Sequence, residues 1–251
     1  MIEIKNISRK IGNFSLKEVS FNIKDGDVIA FVGDNGAGKT TTIKALFGEL
    51  KLDSGSILID GEDIFKNNNL RRVAFFPDSN NVPLNMKLSD YLRYICAAND
   101  LSKEETELNT EYVYRLLELK PYKDKLIKKL SSGWKKKAIM ASVLIRKPKY
   151  IIFDEPTANV DVESKLYFME IFRLLAKSGI TILITSHIIE ELQEVANHLV
   201  LIKKGQIVHD KDFDNKSEKI MDVYKQYMQS PIRDLTILRN LYRDKKGKHN
   251  E

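Results

Sequence analysis

Gly33-Asp34-Asn35-Gly36-Ala37-Gly38-Lys39-Thr40 sets three glycines within six residues and follows them with a lysine and a hydroxyl, a G-x-x-x-x-G-K-[ST] string. Glycines at that spacing let the backbone turn its N–H groups inward around an anion. Such a loop suits a polyphosphate: Lys39 would reach the β- and γ-phosphates, and the Thr40 hydroxyl would take one coordination position on Mg²⁺. Asp154 and Glu155 come next. Asp154 follows the apolar run Tyr150-Ile151-Ile152-Phe153, so its carboxylate would emerge at a sheet edge and hold Mg²⁺ directly or through a water. Glu155, pointing the other way along an extended backbone, would orient or deprotonate an attacking water. His187, close behind Thr181-Ile182-Leu183-Ile184, would contact the γ-phosphate and stabilise charge in the transition state.

These groups need elements that aim them at one point. Val28-Ile29-Ala30-Phe31-Val32 reads as a buried strand into the glycine loop, and Thr41 to Phe47 as the helix behind it, whose dipole points at the same anion. Alternation over Ile2/Ile4, Phe14/Leu16 and Val19/Phe21/Ile23 predicts strands, with a turn at Asp25-Gly26. Further strands are expected at 56–59, before a turn at Asp60-Gly61, and at 73–76, stopped by Pro77. From Leu88 to Leu130 the pattern turns helical. Ser89-Asp90 is expected to cap one helix and Ser102-Lys103-Glu104-Glu105 to form a capping box for another, with Tyr112, Leu116, Leu117 and Leu119 as core or interface positions. Helices are then expected over 133–146 and 163–177, and a hairpin at 199–208 around Lys203-Lys204-Gly205. After about residue 210 periodicity is expected to fade, ending in a solvated tail at 243–249. Strands alternating with helices imply a parallel sheet covered on both faces, and such sheets gather ligand chemistry at strand ends.

Composition narrows the partners only slightly. The 251 residues are 43% hydrophobic and carry a formal charge of +6, with basic residues concentrated near Lys125 to Lys137 and from Arg233 onward. Basic surface of that size suits nucleic acid, an anionic membrane face or plain solvent. No run approaches the roughly 20 apolar residues of a membrane span, and Cys96 is the single cysteine, so a cytosolic, reducing setting is expected.

Four motifs in order, 33–41, Leu130-Ser131-Ser132-Gly133-Trp134, 151–157 and Thr185-Ser186-His187, resemble the ATP-binding subunits of ABC transporters from about residue 2 to 210. The resemblance implies an α/β fold of the P-loop NTPase type: a mostly parallel sheet covered by helices, an N-terminal antiparallel β subdomain, an α-helical subdomain inserted at about 86–135, and a charged extension over 211–251. It implies ATP with Mg²⁺, and a head-to-tail homodimer or heterodimer in which Ser131, Ser132 and Gly133 bind the γ-phosphate held by the opposite subunit while Asp161 communicates across the interface. It also implies a separate membrane permease, more in the manner of an exporter, with this chain at the cytoplasmic membrane face. Departures are visible: Ser132 replaces a usual glycine, Trp134 a usual glutamine, and Asp78 the glutamine that senses Mg²⁺, although a carboxylate there can still bind metal. Ile11 stands at the adenine-stacking aromatic, with Phe14 as a substitute. The other reading, an ATPase of this fold acting on nucleic acid or the ribosome, would bring a second ATPase domain or a long coiled coil, neither of which is in the sequence, so nucleic acid is not the expected partner.

Overall fold

The structure is a computed structural model describing residues 1–77, 82–186 and 188–228. Strands β1 (Ile2–Ile11) and β2 (Phe14–Ile23) form a tight antiparallel pair, Ile2 opposite Ile23 and Ile11 opposite Phe14. After β3 (Val28–Val32) and α1 (Lys39–Leu46) come β4 (Ser54–Ile59) and a two-residue β5 (Glu62–Asp63), too short to show in any pattern. These complete a four-stranded antiparallel sheet ordered β2-β1-β4-β5. The rest of the chain alternates: β6 (Val73–Phe76), α2 (Leu88–Ala98), α3 (Lys103–Leu116), α4 (Ser132–Leu144), β7 (Tyr150–Asp154), α5 (Val162–Lys177), β8 (Thr181–Thr185), α6 (Ile189–Gln193), β9 (His198–Lys203), β10 (Gln206–Asp212) and α7 (Ile220–Met228). The second sheet runs β10-β9-β3-β8-β7-β6, and only β10 is antiparallel to its neighbour.

Both faces of that sheet are buried, and its strands alternate between two cores. Ile29, Phe31, Tyr150, Ile152, Leu183 and Val200 meet Ile2, Ile4, Ile7 and Phe21 of the antiparallel sheet. Ala30, Val32, Ile151, Phe153, Ile182 and Ile184 face the helices, against Phe168, Phe172, Ile139 and Phe76. A period of two with apolar residues at both phases reads as one unbroken hydrophobic run, which explains the four- and five-residue apolar stretches.

The helical stretch departs from expectation in detail. Ser89 and Asp90 do not cap: α2 starts one residue earlier, with Lys87 at its N-cap and no side-chain cap bond. The capping box at α3 is present, Ser102 Oγ accepting from Glu105 N at 3.1 Å and Glu105 accepting from Ser102 N at 2.8 Å. Leu117 and Leu119 are buried, but Tyr112 and Leu116 are exposed, because the exposed face of α3 carries apolar as well as charged residues. The basic run ending at Lys137 is not all surface, since Lys136 and Lys137 are buried. Periodicity also does not fade at 210. β10 continues to Asp212, and α7 inserts Ile220 and Met228 into the helix-side core. The tail at 243–249 lies outside the described residues.

Candidate active site

Gly38 lets the loop after β3 close. Its φ of +119° is a conformation that side-chain-bearing residues avoid, and a Cβ there would lie 2.9 Å from Leu16 and 3.0 Å from the Phe14 ring. The loop is folded on itself, with Ala37 N donating to Asp34 O at 3.0 Å. Lys39, only 6% exposed, turns back and donates from Nζ to the Gly33 carbonyl at 2.6 Å. Burial pushes its ammonium below the ordinary pKa, and the carboxylates of Glu155, Asp154 and Asp34 offset this in part. Lys39 is therefore a cation tied to the loop's own carbonyl, with the three carboxylates nearby, at the place where an incoming anion would meet it.

The acidic pair sits across the neighbouring strands. β8 lies between β3 and β7, so the three carboxyl ends are adjacent. Thr40 Oγ1 donates to Asp154 Oδ2 at 3.2 Å, and Thr185 Oγ1 donates to Asp154 Oδ1 at 2.7 Å. Thr185 was not among the expected site residues, yet it is the hub: its hydroxyl and its carbonyl both accept from Glu155 N, at 3.0 and 3.2 Å. The signal was available, since a hydroxyl ending a wholly apolar strand must find buried partners. Glu155 has φ +49°, a left-handed backbone that costs a non-glycine residue about 1–2 kcal/mol. Asp34, Asn35, Gly36, Gly38, Lys39, Thr40, Thr41, Asp154 and Glu155 line one cleft of about 180 Å³.

The remaining expected residues fall elsewhere. Ile11 is exposed at the tip of β1, paired with Phe14, and the half-buried Phe14 ring packs on the loop at Gly38. Ser131, Gly133 and Asp161 do not enter the cleft. They line a second hollow of about 330 Å³ with Trp134, Lys137, Ser164 and Tyr167, while Ser132 is exposed in the first turn of α4. Ser131 caps α4 and Asp161 caps α5, where Asp161 accepts from Ser164 N at 2.8 Å and Oγ at 2.9 Å; these bonds hold its carboxyl below the usual range. Gly133 leaves this contact uncrowded, since a Cβ would stand 2.7 Å from Ser164 Oγ and displace it. Trp134 stacks on Tyr122 with centroids 4.2 Å apart, and Lys137 Nζ lies over both Trp134 and Tyr167 while reaching Glu118 at 3.3 Å. Asp78 and His187 lie outside the described residues. One contact had no sequence signal: the Tyr224 hydroxyl of α7 donates to Asp34 of the loop, and this bond, with burial, pushes the phenol up to about 12.

A family model described as "ABC transporter" matches residues 16–158, more than half of the chain. A putative ABC transporter ATP-binding protein of Mycoplasma pneumoniae is 30% identical over 228 residues, covering 88% of this chain and 68% of the relative. The SkfA peptide export ATP-binding protein SkfE of Bacillus subtilis is 27% identical over 211 residues, 84% of this chain and 88% of that one. A solved ATP-binding subunit of an ABC transporter superposes with a TM-score of 0.83 at 23% identity, over 91% of this chain and 100% of the other. A dimeric ATP-binding cassette in a post-hydrolysis state with ADP and Pi gives 0.74 at 21% identity, over 85% and 99%. A phosphate loop facing a buried acidic strand end, on that fold and with that family match, leads to one conclusion: the chain belongs to the ABC transporter family, as an ATP-binding, ATP-hydrolysing member.

Proposed function

We propose that the chain holds ATP in the cleft between the glycine loop and the acidic pair, hydrolyses it there as half of a head-to-tail dimer, and drives export through a separate membrane permease. The observation that carries this reading is the 3.2 Å contact between Thr40 and Asp154, which joins loop and acidic strand beside Lys39 in one cleft. A hydroxyl and a carboxylate are hard oxygen donors and fit Mg²⁺, which commonly takes one or two protein ligands and completes its shell with phosphate oxygens and water. Among the described residues no group of three or more His, Cys, Asp or Glu is set to hold a metal alone, in keeping with a metal that arrives with its nucleotide. When bound, Mg²⁺ supplies charge neutralisation at the β- and γ-phosphates. Lys39 binds those phosphates, Glu155 orients or deprotonates the water, and His187 contacts the γ-phosphate. Phe14, with Ile11 beside it, flanks the base, and Asp78 serves as a further metal contact.

Ser131, Ser132, Gly133 and Asp161 face the partner's nucleotide. The hollow that Ser131, Gly133 and Asp161 line, with Ser132 exposed beside it, is separate from the cleft of the same chain, which supports a site completed by a second subunit, and the dimeric cassette with ADP and Pi supports the same arrangement. Among the described residues no helix is long and apolar enough to cross a membrane; the family match supports a separate permease, with this chain at the cytoplasmic membrane face. The peptide-export relative supports export as the direction. In domain terms, the ATPase carries its helical insert at about 86–135 and continues through β10 and α7, which pack with it. Glu155→Gln tests the reading. ATP binding should persist, turnover should fall on the order of 100-fold or more, and a dimer should accumulate on size exclusion; undiminished turnover refutes the role.

A further inference from the structure

Lys136 is a buried cation that none of the roles above uses. It lies on α4, one turn beyond Ser131, Ser132 and Gly133, and is 3% exposed. Lysine is almost never buried to that degree without a polar partner. Its Nζ stands 3.5 Å from the backbone oxygen of Glu155 and 5.3 Å from the centre of the Phe76 ring.

The residue it approaches holds a left-handed backbone. Glu155 combines its φ of +49° with a following proline, and a left-handed residue persists only where its surroundings over-determine it. Its N–H is held by Thr185 from β8. Its carbonyl accepts from Ala158 N at 3.2 Å and is approached by the Lys136 ammonium from α4. The Glu155 Cα is thus tied through both of its peptide groups, the N–H to Thr185 and the carbonyl to Ala158 and Lys136, and the base of its side chain is fixed with it.

We propose that Lys136 is a positioning residue for hydrolysis. Its ammonium holds the Glu155 carbonyl and so keeps the carboxylate aimed at the water, which makes α4 a mechanical link between the Ser131 to Gly133 turn and the hydrolytic group of the same chain. This rests on the reading of Glu155 as the hydrolytic base, and the test separates the two.

Steady-state Mg-ATP kinetics and calorimetric ATP binding are measured on the full chain carrying Lys136→Met, Lys136→Arg or Lys136→Gln, with Glu155→Gln in parallel. Lys136→Met should lower kcat about tenfold or more while leaving KM and Kd within about threefold, since a misaimed group loses rate rather than binding. Lys136→Arg, which can donate to the same carbonyl, should recover most of the rate. In the Glu155→Gln background, Lys136→Met should have no further effect. Where the methionine variant does not fold, the glutamine variant, which keeps a polar head but loses the charge and the reach of the ammonium, carries the comparison and should likewise lower kcat with KM nearly unchanged. A folded Lys136→Met, or Lys136→Gln in its place, with kcat within about twofold of the parent while Glu155→Gln is stalled overturns the role of Lys136 alone. Full turnover by Glu155→Gln overturns the assignment of Glu155 and the inference with it.

Discussion

At the ends of three adjacent strands, Thr40 and Thr185 both donate to Asp154, beside Lys39 held by the Gly33 carbonyl, whereas Ser131, Gly133 and Asp161 meet where two helices begin and leave their hollow facing outward. The first region is complete within one chain. The second presents the N-termini of α4 and α5 outward, with the carboxylates of Asp161, Glu118 and Glu163 and the ammonium of Lys137 in its walls. On the proposed function the contrast separates two requirements: the first region binds a nucleotide within one chain, and the second acts on the nucleotide of a partner.

Four substitutions press on that contrast. Lys39→Ala should have the largest effect, lowering ATP affinity about 100-fold by calorimetry, because a charge-assisted contact to phosphate is lost; affinity within tenfold of the parent would break the assignment of the first region. Gly133→Ala should act only on the second. Its Cβ would crowd Ser164 Oγ, so ATP binding should hold while turnover and ATP-dependent dimerisation on size exclusion fall about tenfold. A matching loss of ATP affinity would show that the two regions are not separable.

Thr185→Val keeps the volume and removes the hub hydroxyl, stripping Asp154 of a donor and Glu155 N–H of one acceptor. Urea unfolding should report a loss of about 1–3 kcal/mol, with turnover reduced and the second region unaffected. The smallest effect is expected at His198, distant in role from both regions. Burial disfavours its charged form, but Asp210 at 2.6 Å and Asp212 at 2.9 Å on the two ring nitrogens outweigh this and raise its pKa. The folded chain therefore binds this proton more tightly than the unfolded chain. The stabilisation is whole below about pH 6.5 and is lost as pH rises through the raised folded value. His198→Asn should flatten unfolding stability across that window and leave ATP turnover unchanged.

Much of this was legible in advance where the signal is local. The glycine loop, the capping box at Ser102 and the strands at 73–76 and 150–153 follow from turn chemistry and apolar runs. What was not legible depended on partners distant in sequence. Lys136 and Lys137 read as surface in a basic run, yet Phe76, Trp134 and Tyr167 supply π faces that take their ammonium groups. α7 escaped notice because its packing partners, and the Asp34 carboxylate that Tyr224 meets, come from segments far upstream.

The sequence by itself determined which groups could act on a triphosphate, because a glycine-lysine-threonine turn and a carboxylate ending an apolar strand have few other uses at those spacings. It did not determine that Thr40 and Asp154, 114 residues apart, share a hydrogen bond. That was decided when β8 took its place between β3 and β7. Strand order in a parallel sheet is set by crossover helices packing over many residues, and a strand apolar on both faces carries no mark of its neighbours.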